Sequence, residues 1–242
     1  MSGHSKWSTI KRKKGALDAK RGKIFTKMAK MIMVAARQGG GDPEMNIKLR
    51  LAVDKAKQAN MPFQSIERAI KKGTGGLQEG AALDELTYEA YGPGGIALII
   101  EAVSDNKNRT TAEIKHILSE NDGRLGEAGS VMWMFEKYGV IRIFDIIERE
   151  REMIEMEAID AGANDIRDEN ESLVIYVDIS DLTDIKKKLT VNNVKYDSAE
   201  PELIAKNSVK IGNEKILSKL EKLMEALDEQ DDVNEIYSNL AS

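Results

Sequence analysis

The chain of 242 residues contains no cysteine and only two histidines, His4 and His116. Disulfide bonds, thiolate nucleophiles and cysteine-based zinc sites are therefore excluded, and so is a histidine-rich metal site. Proline is rare, at four residues, and aromatic residues make up 5%. With 41% hydrophobic residues, the composition is that of a folded protein and not of a disordered one. No apolar run reaches the ~18 residues that a transmembrane helix needs.

The net charge of −5 hides a strong division between the two ends of the chain. Residues 1–75 contain 18 lysines and arginines against five acidic residues, a surplus of 13 positive charges. The rest of the chain contains 18 basic and 36 acidic residues. Such a surplus attracts polyanions, so a nucleic acid or an anionic surface is the expected partner. A mitochondrial transit peptide is an alternative, but Asp18 interrupts the basic segment and its helical pattern continues into further helices.

Helical periodicity dominates this basic segment. Ile24, Met28, Met31 and Ala35 fall at i, i+4, i+7 and i+11, which predicts one buried helix face. A stripe of lysines lies about 100° around the same helix, and we expect it to face water. The glycine and proline positions that follow predict two more helices, from Asp42-Pro43 to about Asn60 and from Pro62 to Gly73. Three helices in this length suggest a small bundle.

Beyond the helices the period changes to that of strands. Residues 73–83 are rich in glycine and predict a flexible linker, with a domain boundary at about residue 78. Leu86–Tyr91 and Ile96–Val103 predict two strands joined by a Gly-Pro-Gly-Gly turn. Because the second of these strands begins with a continuous apolar run, we expect it to be central in its sheet. A helix over 106–120 and a strand over 131–138 are predicted next.

The remaining residues predict a second sheet. The segment 140–200 has the order β-α-β-β-α-β, which is the ferredoxin-like pattern. A final helix and a strand over Val233–Tyr237 lack a sheet of their own, so we expect them to return to the first one. The predicted fold class is therefore α+β with three domains. Their bounds are 1–78 for a three-helix domain, 79–138 plus 205–242 for a discontinuous α/β domain, and 139–204 for an inserted ferredoxin-like α/β domain.

No motif in the sequence indicates an enzyme. Gly39-Gly40-Gly41 lacks the Lys-Ser or Lys-Thr of a phosphate-binding loop, and the later glycines lack dinucleotide-binding spacing. His116 lies on a predicted helix beside apolar positions and is interpreted as a surface histidine. The acidic run 228–232 is interpreted as a solvated loop. We therefore expect no catalytic residue, no metal, no cofactor and no small-molecule substrate.

The basic residues are the remaining functional candidates. Trp7 lies among them and can stack on a base or dock on the helices. Because no base-reading element is evident, we expect contacts with the phosphate backbone. The candidate phosphate contacts are Lys6, Lys11, Arg12, Lys13, Lys14, Lys20, Arg21, Lys23, Lys27 and Lys30. Asn106, Asn108 and Arg109 form a weaker second candidate surface, for which helix capping is the alternative.

Several motifs resemble the YebC/PmpR family, which includes the mitochondrial translational activator of cytochrome c oxidase. The long N-terminal motifs Gly3–Trp7 and Asp18–Lys27 are the most specific, and Asn60–Pro62 and Tyr91–Gly95 continue the match. The resemblance covers essentially the whole chain. One departure is Lys11–Lys14, where the family often has a histidine among the basic residues.

The resemblance implies a cytoplasmic, non-enzymatic protein of three domains, described as a probable DNA-binding transcriptional regulator. Relatives are also similar to ribosome-associated factors that assist translation through difficult sequences such as consecutive prolines. A DNA-binding regulator is thus the first hypothesis, and a factor bound to ribosomal RNA or the ribosome is the alternative. A module that recruits proteins through its acidic domains is a third. The expected partner is DNA or ribosomal RNA, and no membrane is expected.

Overall fold

A computed structural model gives the fold and describes residues 18–75, 83–144, 146, 148–169 and 172–241, with side chains except at 18–20, 148 and 149. Three helices come first: α1 (Asp18–Gly39), α2 (Ile47–Gln58) and α3 (Phe63–Gly73). The next elements are β1 (Asp84–Tyr91), β2 (Ala97–Ser104), α4 (Lys107–Glu120), β3 (Arg124–Leu125) and β4 (Phe135–Phe144). They are followed by α5 (Glu148–Ala161), β5 (Asp165–Glu169), β6 (Ser172–Val177), α6 (Leu182–Val191) and β7 (Ser198–Ala205). The last elements are α7 (Glu214–Glu229) and β8 (Val233–Ser238).

The three N-terminal helices share one apolar core. Ile32 of α1, Leu49 of α2 and Ile66 of α3 are almost fully buried in it. α1 ends where Gly40 adopts the left-handed φ of 87°, which glycine adopts without steric cost. α3 follows Pro62 and ends at Gly73, as its sequence pattern predicts. The helical part of the fold prediction is therefore confirmed.

The predicted start of α2 is wrong. Asp42 accepts a hydrogen bond from the backbone N–H of Glu44, so it organises a turn and caps no helix. Asn46 is the N-cap, because its Oδ1 accepts the Leu49 N–H at 3.0 Å. The Asn46 side chain also donates to the carbonyl of Ala35, which fixes the loop against α1.

The first sheet has the order β3-β1-β2-β8, with all neighbours antiparallel. β2 lies between β1 and β8, which confirms that its continuous apolar run is central. β8 returns from the end of the chain and pairs Ile236 with Ile100, so the predicted return is also confirmed. α4 and α7 pack against each other and bury Ile114 and Leu223.

The second sheet has the order β5-β6-β4-β7, again antiparallel, with α5 and α6 as its crossover helices. This is the strand order of the ferredoxin-like pattern. The two strands predicted on either side of residue 139 are one strand, β4. Gly139 lies inside this strand, at a position where a Cβ would lie 2.7 Å from a Val177 methyl carbon. The last strand lies at 198–205 and so extends beyond the predicted segment 140–200, and it tolerates Pro201 because β7 is an edge strand.

The helices and the two antiparallel sheets confirm the α+β class. Chain contacts divide the described residues into two compact units. One contains 18–75, 83–132 and 211–238, and the other contains the described part of 133–210 together with 239–241. The helical region and the first sheet thus belong to the same unit. The three sets of domain bounds given above stay a prediction.

Candidate nucleic-acid interface

The lysine stripe of α1 faces the turn that joins α7 to β8. Lys23 Nζ donates to the carbonyl oxygen of Glu229 at 3.2 Å, and Lys27 Nζ donates to that of Asp228. Lys30 Nζ donates to the carbonyl of Asp231 at 3.2 Å. These three lysines are spaced about one helical turn apart, so they share one face of α1 and all three reach residues 228–232. We call residues 228–232 the acidic turn.

Asp232 is the centre of this contact. Its side chain is 3% exposed and accepts hydrogen bonds from Lys30 Nζ at 2.6 Å and from Thr110 Oγ1 at 2.7 Å. Arg109 Nη2 adds a third bond at 3.1 Å. Burial acts to raise the pKa of Asp232, but the bonds from Lys30, Thr110 and Arg109 outweigh it and hold the pKa well below its ordinary value. The carboxylate therefore stays ionised and joins α1 to the first sheet and to α4.

Two expectations about this region are wrong. The lysine stripe does not face water as a whole, because Lys27 is only 9% exposed and the Lys30 side chain 19%. The acidic turn is not simply solvated, because it receives these lysines. Both errors have one cause: helical periodicity gives the direction of a side chain but does not give what lies opposite. Lys23 remains mostly exposed, with its ammonium 3.7 Å from the carboxylate of Asp231.

The other predicted phosphate contacts are distributed as follows. Arg21 is exposed on the first turns of α1. Lys20 lies within the same helix, and its side chain is outside the described atoms. The remaining five, Lys6, Lys11, Arg12, Lys13 and Lys14, lie outside the described residues. Their role therefore stays a prediction.

α2 carries two basic stripes with different surroundings. Lys48 pairs with Glu85 of β1 at 2.6 Å, and Lys55 pairs with Glu235 of β8. This first stripe therefore neutralises carboxylates of the first sheet. Arg50 and Lys57 each lie two positions after one of these lysines, and their side chains reach the solvent. Within the described ranges, neither side chain has a hydrogen-bond or ion-pair partner.

α3 presents a basic outer face that the sequence analysis did not include among the candidates. Arg68, Lys71 and Lys72 are exposed, while Ile66 and Ala69 of the same helix lie in the core. No partner for these three cations occurs among the residues that the structure describes. The available signal was their spacing relative to the buried positions.

The second candidate surface is largely explained by local structure. Asn106 caps α4, because its Oδ1 accepts the Arg109 N–H at 3.1 Å. The Arg109 guanidinium is bonded to Asp105 and Asp232, and its bond to Asp232 does most to raise its pKa. Capping and ion pairing therefore account for two of the three residues.

Metal binding and membrane insertion are two other roles to consider for the described residues. Within those ranges, no group of three or more acidic or histidine side chains is arranged to hold a metal ion. None of the helices found there is long and apolar enough to cross a membrane. The basic surfaces of α2 and α3 remain the candidate interface.

A basic three-helix region joined to two antiparallel sheets places the chain in the α+β class. Two family models match it: the TACO1/YebC protein N-terminal domain over residues 5–76, and the TACO1/YebC second and third domain over residues 83–240. The chain therefore belongs to the TACO1/YebC family.

Similar proteins cover almost the whole chain. A protein of Halothermothrix orenii named probable transcriptional regulatory protein is 51% identical over 241 residues, which is 99% of this chain and 94% of that one. A protein of the same name from Syntrophobacter fumaroxidans is 48% identical, covering 99% and 95%. The crystal structure of a conserved hypothetical protein from Aquifex aeolicus superposes with a TM-score of 0.83 at 40% identity, covering 93% of this chain and 91% of that one.

Proposed function

We propose that this protein is a nucleic-acid-binding regulator of gene expression, a DNA-binding transcriptional regulator that holds the phosphate backbone through its basic helical region. One observation carries the proposal. The described residues 18–75 contain 13 lysines and arginines against five acidic residues, and six of those cations have no partner in the described part of the chain. Cations without a local counter-charge are available for phosphates. The names of the relatives support a regulatory role.

The ten predicted phosphate contacts fall into two groups: seven remain proposed contacts, and three are bonded to the acidic turn. Lys6, Lys11, Arg12, Lys13, Lys14, Lys20 and Arg21 remain proposed phosphate contacts. Lys27 and Lys30 would have to leave the acidic turn before they could meet a phosphate, and Lys23 would have to leave its bond to Glu229. Breaking the Lys30 contact would leave the buried carboxylate of Asp232 with less compensation, which is unfavourable.

The second candidate function is a factor bound to ribosomal RNA or the ribosome that relieves stalled translation. The exposed ring of Phe63, at the start of the helix that also carries Arg68 and Lys71, favours this alternative. Unpaired bases of RNA loops stack on such rings, whereas bases inside a duplex do not reach them. In either case the proposed protein is cytoplasmic and regulatory, without a catalytic site.

Binding of the full-length protein at low salt tests the proposal. We expect retention of duplex DNA with a log–log salt slope of about −5, if about six phosphates are neutralised. Genome-wide footprinting then tests for preferred DNA sites, and co-sedimentation with ribosomes under stalling conditions tests the alternative. Absence of binding to DNA, RNA and ribosomes in low salt would refute both functions.

A further inference from the structure

We propose that polynucleotide phosphates dock on the outer face of α3 and the adjoining end of α2, and not on Lys23, Lys27 and Lys30 of α1. This inference rests on the proposed function and assigns its binding surface. The ligand is the sugar-phosphate backbone of a nucleic acid, and duplex DNA and RNA are its two sources.

The fold places 11 of the 13 cations of residues 18–75 in two sets, and Lys20 and Arg21 belong to neither. The engaged set is bonded to the first sheet or to the acidic turn and consists of Lys23, Lys27, Lys30, Lys48 and Lys55. The side chains of the open set make no hydrogen bond or ion pair among the described residues, and this set consists of Arg37, Arg50, Lys57, Arg68, Lys71 and Lys72. The engaged cations neutralise the protein's own carboxyl and carbonyl groups. Only the open set offers charge without an internal cost.

The open cations of α3 lie on the side opposite its core. Gln64, Arg68 and Lys71 fall at i, i+4 and i+7, so they form one exposed row, and Lys72 flanks it. The helix has a single carboxylate, Glu67, which makes no ion pair with these cations in the described structure. α3 therefore has a net outward charge of two.

Neighbouring helices extend this row at both ends. Lys57 lies one residue before the end of α2, where its carbonyl accepts the Asn60 N–H in the four-residue connection to α3. At the other end, Gly73 packs against α1 so closely that a Cβ would lie 2.8 Å from the Cβ of Ala36, the residue before Arg37. The helix has 11 residues and is about 16 Å long. That length matches roughly five phosphates along one strand of a duplex.

A comparison of two double variants of the full-length protein tests the assignment. Arg68→Gln/Lys71→Gln removes two open cations. Lys23→Gln/Lys48→Gln removes two engaged cations, so the net charge changes equally in both variants. The side chains of Lys23 and Lys48 are 56% and 50% exposed. Both variants should fold, because exposed ion pairs contribute little to stability. Thermal unfolding of each variant confirms this before binding is measured.

Binding is measured as a function of salt, with a random-sequence DNA duplex in one arm and a single-stranded or hairpin RNA in the other. Arg68→Gln/Lys71→Gln should reduce the magnitude of the log–log salt slope by about two, and the engaged pair should leave the slope at the wild-type value. The arm that shows the larger loss identifies the nucleic acid that uses this face.

The possible results distinguish a failure of this binding surface from a failure of the proposed function. If Arg68→Gln/Lys71→Gln keeps the wild-type slope while the engaged pair, or a variant neutralising Lys11–Lys14, loses it, this assignment is overturned and the proposed function survives. If the wild-type protein binds neither polymer at low salt, the proposed function itself fails.

Discussion

Asp232→Asn tests how strongly the acidic turn joins the helical region to the first sheet. The carboxylate is 3% exposed and accepts bonds from Lys30, Thr110 and Arg109. Asparagine keeps the volume of the side chain but removes its charge. It also places an amide donor among three donors, so at least one of them loses its acceptor.

The expected loss follows from these contacts. A hydrogen bond to a charged group contributes about 1.5–3 kcal/mol, and breaking a buried ion pair costs about 3–5 kcal/mol. Arg109 is 45% exposed and also bonded to Asp105, so solvent screens most of its share. Most of the expected loss of stability therefore comes from the bonds of Lys30 and the buried Thr110 to Asp232. We expect the free energy of unfolding to fall by about 3 kcal/mol, which lowers Tm by roughly 6–12 °C.

The same contacts predict a pH dependence. The pKa of Asp232 is lowered in the folded state, so its carboxylate stabilises the fold at any pH above the unfolded-state pKa of about 4. This contribution is lost as the pH falls from there through the folded-state pKa. The stability difference between wild type and Asp232→Asn should therefore be complete at pH 7 and shrink progressively below about pH 4.

Urea unfolding followed by circular dichroism, at pH 7 and at acidic pH, measures both effects. Asp231→Asn is the matched control, because this neighbour is 71% exposed and its carboxylate lies 3.7 Å from the Lys23 ammonium. Its free energy of unfolding should change by less than about 0.5 kcal/mol. Equal unfolding midpoints for the two variants at pH 7 would refute the reasoning, as would a loss in Asp232→Asn that stays constant down to pH 3.

Three further predictions concern other parts of the molecule. Glu202→Gln should destabilise the protein by about 3–5 kcal/mol in urea unfolding, because it leaves the 4%-exposed Arg142 guanidinium without its charge partner. The double variant Arg142→Met/Glu202→Leu, which removes both charges, should stay within about 2 kcal/mol of wild type. Gly73→Ala should lower Tm, because its Cβ would lie 2.4 Å from the Met33 carbonyl oxygen, while Gly22→Ala, with open space around it, should leave Tm unchanged or higher. Phe63→Ala should keep the wild-type Tm, because the ring is 65% exposed. In a fluorescence-anisotropy titration it should weaken binding to single-stranded RNA more than binding to duplex DNA. An equal loss of affinity for both polymers would contradict base stacking.

Much of the fold follows from local patterns. The period of 3.6 in α1, the strand alternation after residue 83 and the Gly-Pro-Gly-Gly turn each act over a few residues, so their elements could be predicted. The return of β8 was also predictable, because a strand without a partner has unmet hydrogen bonds. The start of α2 was not, since the capping residue Asn46 is also held by the Ala35 carbonyl of α1, a contact that local sequence does not show.

The candidate site was predicted less completely than the fold. The surplus of positive charge in residues 1–75 is a property of composition, and it indicates a polyanion partner without any structure. Composition does not show which of these cations are available to bind a phosphate. The stripe of α1 was the predicted site because its spacing is regular, whereas Arg68 and Lys71 form a shorter row on α3 and were not predicted.

The sequence by itself determined the class of elements, their order and the charge of each region, because these depend on neighbours within a few positions. Only the tertiary structure decided which lysines meet solvent. Lys30 and Asp232 are 202 positions apart, and their ion pair exists because β8 returns to the first sheet beside α1. An ammonium group responds to the nearest carboxylate in space, and no local pattern encodes that distance.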